Sequence, residues 1–84
     1  MGKNVHKEYK IGDVDNISKF KEYTLPSGKR VDFIDFKSKV IYELKPYNPA
    51  QMKKGTKQLA GYLNEIKNNE NIFGSGWSSI LDTY

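Results

Sequence analysis

Hydrophobic and polar positions alternate twice in close succession, over Arg30-Val31-Asp32-Phe33-Ile34-Asp35-Phe36 and over Lys39-Val40-Ile41-Tyr42-Glu43-Leu44-Lys45. Alternation of period two marks half-buried strands. An earlier strand is predicted over Lys19 to Leu25, set off from the second by Pro26-Ser27-Gly28-Lys29, where Pro fixes φ and Gly permits φ > 0. Pro46 ends the third strand because it has no N–H for the ladder, and it biases Lys45 toward extended geometry. Beyond it the pattern changes period. Asn48-Pro49-Ala50-Gln51 has an Asn N-cap, a Pro at the first helical position and a Gln three residues after the cap, the signature of a helix start. Met52, Thr56, Leu59, Leu63 and Ile66 then recur at helical spacing, predicting a helix to about Asn68-Asn69 whose apolar stripe packs on the sheet. Gly74-Ser75-Gly76 reads as a turn, and Trp77 to Tyr84 as a last strand or a docked tail. The first 18 residues carry few apolar groups. They predict one short helix, around Val5 to Ile11, and read as an incomplete N-terminal element.

The predicted fold class is therefore α+β, in the order α-β-β-β-α-β: a three-stranded antiparallel meander, an amphipathic helix and a short C-terminal strand. At 84 residues the chain is one domain, 1–84, near the lower end of what buries an adequate core. A composition of 37% hydrophobic and 29% charged residues fits a soluble globular protein, with no run long enough for a signal peptide or a membrane span. A secreted form would have to belong to a longer protein or use another route. The absence of cysteine excludes disulfides, Cys-zinc sites and thiol nucleophiles, and a single histidine, His6, excludes paired-His catalysis. By default His6 is a surface residue. The net charge of +4 favours a polyanionic partner without requiring one. Gly12 and Gly28 belong to no phosphate-loop pattern.

The candidate chemistry comes from strand register. With Lys37-Ser38 as the hairpin turn, antiparallel pairing sets Phe36 opposite Lys39, Ile34 opposite Ile41 and Asp32 opposite Glu43. Two directly opposed carboxylates are destabilising unless something neutralises them, and a divalent cation would do so. Glu43 and Lys45 share a face, with Lys45 opposite Arg30. Asp35, by parity, points to the other face beside Val40 and reads as a solvated or supporting group. On the helix, Gln51, Gly55, Gln58 and Tyr62 fall together on one flank of the apolar stripe, in reach of this sheet edge. Gly55 and Gly61 suggest close approach of the sheet. Lys53, Lys54 and Lys57 form a basic outer face suited to phosphate contacts. The plain alternative is that Glu43 and Lys45 are ordinary solvent-facing strand residues.

Ser-Gly-Lys-Arg-Val-Asp-Phe-Ile-Asp, then Val-Ile-Tyr-Glu-Leu-Lys-Pro, then Gly-Thr-Lys-Gln-Leu-Ala-Gly-Tyr-Leu, all between Ser27 and Glu65, resemble the PD-(D/E)xK, or restriction-endonuclease-like, nucleases. Within them the chain is similar to the compact C-terminal nuclease toxin domains of bacterial polymorphic and contact-dependent growth inhibition toxins. Asp32 matches the first acidic residue, Glu43 and Lys45 the acidic-x-Lys element, and Gln58 the helix glutamine of many members. Val31 stands where the family name has Pro. The first helix often supplies another acidic residue, for which Glu8 is the candidate here.

The resemblance implies metal-dependent phosphodiester hydrolysis. Asp32, Glu43 and the Leu44 backbone carbonyl would hold Mg²⁺ or Mn²⁺, hard cations that suit oxygen ligands. Lys45 would orient the nucleophile or stabilise developing charge, and Gln58 would bond the attacking water or a phosphate oxygen. Glu8, Tyr62 and Lys57 are accessory candidates. The implied substrate is DNA ahead of RNA, with a tRNase of the same site as the first alternative. An inactive nucleic-acid-binding module, or one that oligomerises through exposed edge strands, is the alternative of a different class. The implied setting is delivery by a larger toxin protein into the target bacterial cytoplasm, with a cognate immunity protein as partner.

Overall fold

The computed structural model describes residues 2–84, with side chains from residue 5 onward. Helix α1 spans Gly2–Glu8 and is followed by a 3₁₀ turn at Ile11–Asp13. Strands β1 (Lys19–Thr24), β2 (Arg30–Asp35) and β3 (Val40–Lys45) precede helix α2 (Pro49–Lys67), a one-turn helix α3 (Glu70–Phe73) and strand β4 (Ser78–Thr83). The sheet order is β1-β2-β3-β4, antiparallel throughout the meander and parallel between β3 and β4. This is an α+β arrangement on a four-stranded mixed sheet, consistent with a restriction-endonuclease-like fold. Trp77 to Tyr84 thus resolves into a strand, carried to the far edge of β3 by the α2 crossover. Among the described residues, no helix is long and apolar enough to cross a membrane.

Several local expectations are corrected. Helix α1 lies three residues earlier than Val5 to Ile11, because Lys10 adopts φ 53° and ends any helical run. The β2–β3 hairpin keeps Ile34 opposite Ile41, but its turn takes in Phe36–Lys39 rather than Lys37-Ser38 alone. Asp35 explains the change: its Oδ1 accepts the Lys37 and Ser38 amides at 2.9 and 3.1 Å, and Lys39 closes the turn at φ 59°. Burial works against this carboxylate, yet the bonds from Ser38 and Lys37 outweigh it and hold Asp35 below the ordinary carboxylate range. Asp35 pairs with Val40 as its parity required. The stripe of α2 is also rotated from the one read in the sequence. Gly55, Leu59, Tyr62 and Ile66 are buried, while Thr56 is exposed and bonds back to the Met52 carbonyl.

The two faces of the sheet carry different covers. Leu25, Val31, Ile34, Ile41, Leu59, Tyr62, Ile66 and Phe73 form one buried cluster under α2, with Phe20, Tyr23, Phe36 and Trp77 packed around it. Phe33 and Leu44 are buried but lie outside that cluster, on the opposite face by alternation. There the segment after α1 covers them, with the Lys10 ammonium 4.2 Å from the Tyr42 ring centroid and 5.5 Å from that of Phe33. Helix α3 brings Phe73 beside Phe36, and Trp77 Nε1 donates to the Phe73 carbonyl at 3.0 Å.

Helix α2 begins where the sequence requires. Asn48 Oδ1 accepts the Gln51 amide at 2.9 Å, and Pro49 opens the helix. Asn48→Ala is expected to cost about 1 kcal/mol, seen as a Tm lowered by ~4–8 °C in a thermal melt followed by circular dichroism. An unchanged Tm would mean that the cap does not hold the helix start.

Candidate active site

The site originates in a defect of the ladder. Strands β1 and β2 pair in one register from Lys19↔Asp35 to Thr24↔Arg30, but no pair joins Glu22 to Asp32. Glu22 has φ 51°, a left-handed conformation unfavourable for a residue with a Cβ. The alternation of sides breaks there, so Tyr23 joins Phe20 and Phe36 at ring distances of 5.9 and 5.4 Å. Val31, its partner, turns into the α2 cluster.

On its other side β2 parts from β3 after the Phe33↔Tyr42 pair, leaving the expected Asp32–Glu43 ladder pair unmade. Odd-numbered residues of β3 direct their backbone to β4, as the Lys39 and Lys45 carbonyls accepting from Ser78 and Tyr84 show. Leu44 therefore faces the departing strand, and its polar groups need other partners. Its N–H donates to Asp32 Oδ2 at 2.8 Å, and its carbonyl accepts from His6 Nε2 at 3.0 Å. The same His6 nitrogen lies 3.9 Å from Asp32 Oδ2. His6 is exposed, as the default reading has it, but its ring is tied to the Leu44 carbonyl. Lys45 is not paired with Arg30, which is exposed and opposite Thr24.

Among the described residues Glu43 is the buried charged one, 4% exposed, and its Oε1 has no hydrogen-bond partner. Burial first, and then the Asp32 charge, push its carboxyl above the ordinary range, against the pull of Lys45. The Lys45 ammonium stands 3.5 Å from Glu43 Oε2. Gly55 makes room for it: a Cβ there would meet Leu81 Cδ1 at 2.7 Å and Lys45 Cγ at 2.8 Å. No such approach exists at Gly61, where nothing lies within 4 Å.

Gln58 stands three residues after Gly55 and four before Tyr62, on the side of α2 that meets these groups. Its Oε1 is buried without a partner. The Tyr62 hydroxyl is pushed up by burial and by the nearby charges of Glu43 and Asp32, so it stays protonated beside them. Tyr62 is buried. Glu8 is exposed at the end of α1, and Lys53, Lys54 and Lys57 are exposed on α2.

A clamp fixes the N-terminal segment over this edge. The Tyr9 hydroxyl donates to Asp82 Oδ2 at 2.6 Å, and Lys21 Nζ donates to the carbonyls of His6, at 2.8 Å, and Tyr9. Burial, and then the Asp82 carboxylate, raise the Tyr9 hydroxyl so far that it remains a donor at any working pH. Sequence reasoning missed His6, Tyr9 and Asp82. Only the three-residue spacing of His6 and Tyr9, which puts two polar rings on one side of the short helix predicted over Val5 to Ile11, could have signalled them.

Among the described residues, no three His, Asp or Glu side chains gather as a ready cation cage. The donor chemistry nonetheless fits a hard divalent ion such as Mg²⁺, which takes one or two carboxylates and keeps waters for the remaining positions. Asp32 and Glu43 are the carboxylates such an ion would need, and the unpartnered Glu43 Oε1 is an acceptor with free capacity.

A family model described as restriction endonuclease fold toxin 9 (Tox-REase-9) matches residues 1–84. Comparison with curated proteins and with solved structures gives no match.

Proposed function

We propose, on the premise that the chain belongs to the restriction endonuclease fold toxin 9 family, that it is a metal-dependent nuclease whose site is built on Asp32, Glu43, Lys45 and Gln58. The observation that carries this reading is the buried Glu43, its pKa raised and one oxygen unpartnered, between the Asp32 carboxylate and the Lys45 ammonium. A buried acid kept without a full set of partners costs stability, and such costs concentrate at functional sites. Asp32 and Glu43, with the Leu44 carbonyl, would hold Mg²⁺ or Mn²⁺. When bound, that ion lowers the pKa of a water and offsets charge on the phosphate.

The chain's own groups supply the rest. Lys45 is held by its stem between α2 and β4, so its ammonium is oriented before substrate arrives and can stabilise charge developing on phosphate oxygens. Gln58 Oε1 is an acceptor awaiting a donor, and the attacking water is a donor of the right kind. Tyr62, kept protonated, offers a hydroxyl beside the two carboxylates. The exposed Lys53, Lys54 and Lys57 form the face on which a nucleic-acid backbone would ride, giving salt-dependent binding.

DNA is the proposed substrate, with structured RNA such as tRNA second. The setting is delivery by a larger toxin into a competing bacterium's cytoplasm, with an immunity protein protecting the producer. The exposed flanks of β1 and β4 are the surfaces through which two copies would pair.

The test incubates the protein with supercoiled plasmid and, separately, with total tRNA, each with Mg²⁺, Mn²⁺ or EDTA, beside Lys45→Ala. Metal-dependent nicking that EDTA and the substitution abolish is expected. Cleavage of neither substrate, or a Lys45→Ala protein as active as the parent, would refute the reading. Preferential loss of tRNA would move the substrate to RNA.

A further inference from the structure

We propose that His6 is a protein ligand of the divalent ion at this site, giving α1 a nitrogen donor in the part for which Glu8 was the sequence candidate. The inference rests on the metal-dependent reading above and adds a member to its ligand set. It also predicts ion preference.

Three donor atoms converge where β2 leaves β3. His6 Nε2 is 3.0 Å from the Leu44 carbonyl oxygen and 3.9 Å from Asp32 Oδ2. Neighbouring ligands of an octahedral ion with bonds near 2.1 Å stand about 3 Å apart, so the imidazole and the carbonyl already hold a spacing that one cation can share. This set includes a backbone oxygen, so it does not need His6, Asp32 and Glu43 to form a three-side-chain cage. Glu8, two residues on, is exposed.

The imidazole is held in place. Lys21 Nζ binds the carbonyls of both His6 and Tyr9, Tyr9 is anchored to Asp82, and the His6 ring meets the Tyr84 ring edge-on at 5.8 Å. An anchored tyrosine, a half-buried lysine that binds two carbonyls and an aromatic wall are more than a hydrogen bond to one carbonyl would need. The bond to the Leu44 carbonyl requires the proton on Nε2, whereas a ligand nitrogen must be bare. Binding therefore exchanges the tautomer: the Nε2 proton leaves to water and Nδ1 takes one up. The His6 side chain is 44% exposed, which gives that exchange a solvent path.

An imidazole changes what the site selects. Carboxylates, carbonyls and water suit Mg²⁺ and Mn²⁺ alike, while a nitrogen ligand favours first-row transition ions, rising from Mn²⁺ toward Ni²⁺. The site should therefore bind Ni²⁺ and Mn²⁺ more tightly than Mg²⁺, and His6 should carry that preference.

Because the chain has one histidine, its imidazole nitrogens can be read singly. Protein labelled with ¹⁵N at histidine is titrated with Zn²⁺, a diamagnetic probe, and followed by long-range proton–nitrogen NMR. Parallel calorimetry measures Ni²⁺, Mn²⁺ and Mg²⁺ on the parent, His6→Ala, His6→Gln and Glu43→Gln. Zn²⁺ is expected to shift Nε2 and leave the proton on Nδ1. His6→Ala should weaken Ni²⁺ by about ten-fold or more and Mg²⁺ by less. His6→Gln keeps a donor for the Leu44 carbonyl and so keeps α1 docked, yet should show the same loss of Ni²⁺. An Nε2 signal unmoved at saturating metal overturns the proposal, as does an unchanged or tighter Ni²⁺ affinity in His6→Ala, which would make the ring a competitor for the carbonyl. If the parent binds ions in a Glu43-dependent way while His6 stays silent, only this inference falls. If the parent binds no ion, the metal-dependent reading falls with it.

Discussion

Glu43→Gln is expected to raise the melting temperature of the protein while lowering its cleavage rate by about 10²–10³-fold, the loss typical of removing one preorganised charge from an active site. The two effects share a cause. Glu43 is buried beside Asp32, and its burial and that repulsion together exceed what Lys45 returns. An amide of the same shape removes the charge and both penalties. A gain on the order of 1 kcal/mol, or ~4–8 °C in Tm, is expected at neutral pH. The pH dependence fixes the sign. A carboxyl whose pKa is raised by folding holds more protons in the native state than in the unfolded one. Stability therefore falls as pH rises through the interval from its ordinary value to its raised one, and the penalty is fully present above that interval. The advantage of Glu43→Gln over the parent should be greatest near neutral pH and shrink on acidification through the same interval. Thermal melts of both proteins across that range read this difference, because contributions common to both, such as those of Asp15 and Asp35, cancel. A variant less stable than the parent at pH 7 would mean that the Lys45 pairing outweighs the buried charge.

Gly55→Ala should destabilise the protein and Gly61→Ala should stabilise it, although both replace glycine by alanine in the same helix. Each gains about 1 kcal/mol of helix propensity. At Gly61 nothing opposes that gain, since nothing lies within 4 Å of the added methyl. At Gly55 the methyl would stand 2.7 Å from Leu81 Cδ1 and 2.8 Å from Lys45 Cγ, so side chains or the helix must move. Overpacking of this kind costs about 1–3 kcal/mol, leaving a net loss of about 1 kcal/mol and a Tm lowered by ~4–8 °C. The displaced Lys45 stem carries its ammonium with it. A shift of about 1 Å at a catalytic group costs on the order of 10²-fold in rate. Paired melts and cleavage assays of the two variants check both halves. Identical behaviour of the two would show that the contact with Lys45 is absent.

Much of the scaffold could be read from local chemistry. The Ile34–Ile41 register follows from alternation, and the start of α2 from Asn48 and Pro49, because strand parity and helix capping are set by neighbours in sequence. What could not be read depends on distant partners. Nothing in Glu22 announces φ > 0, since a glutamate takes that conformation only when surrounding packing dictates it, and β2 leaves β3 at the same level, at Asp32. The same departure frees the Leu44 backbone and gives His6 its partner, so a lone histidine in a polar N-terminal stretch carried no visible role. The turn is longer than the two residues expected because Asp35, read as a solvated or supporting group, binds the turn amides. The rotation of the α2 stripe toward Gly55 and Tyr62 was masked by Thr56, whose position on the helical wheel looked apolar in context. Glu43, Lys45 and Gln58 were singled out by spacing and by family resemblance. The sequence had no means of giving their burial, or the close approach at Gly55.

Strand β4 follows the other three strands in sequence and touches three parts of the site's frame. It pairs with β3 along its whole length, supplies Leu81 beside the Lys45 stem, and anchors Tyr9 through Asp82. The side chains proposed for chemistry all precede it, so a nascent chain contains them well before it contains what holds them. A parallel strand that must wait for its crossover helix is slow to pair. The site's frame therefore depends on a strand that follows all of its side chains in sequence, and it is complete only once β4 has docked beside β3. Any partner that blocks or withholds that strand would act on the whole site without touching one of its carboxylates.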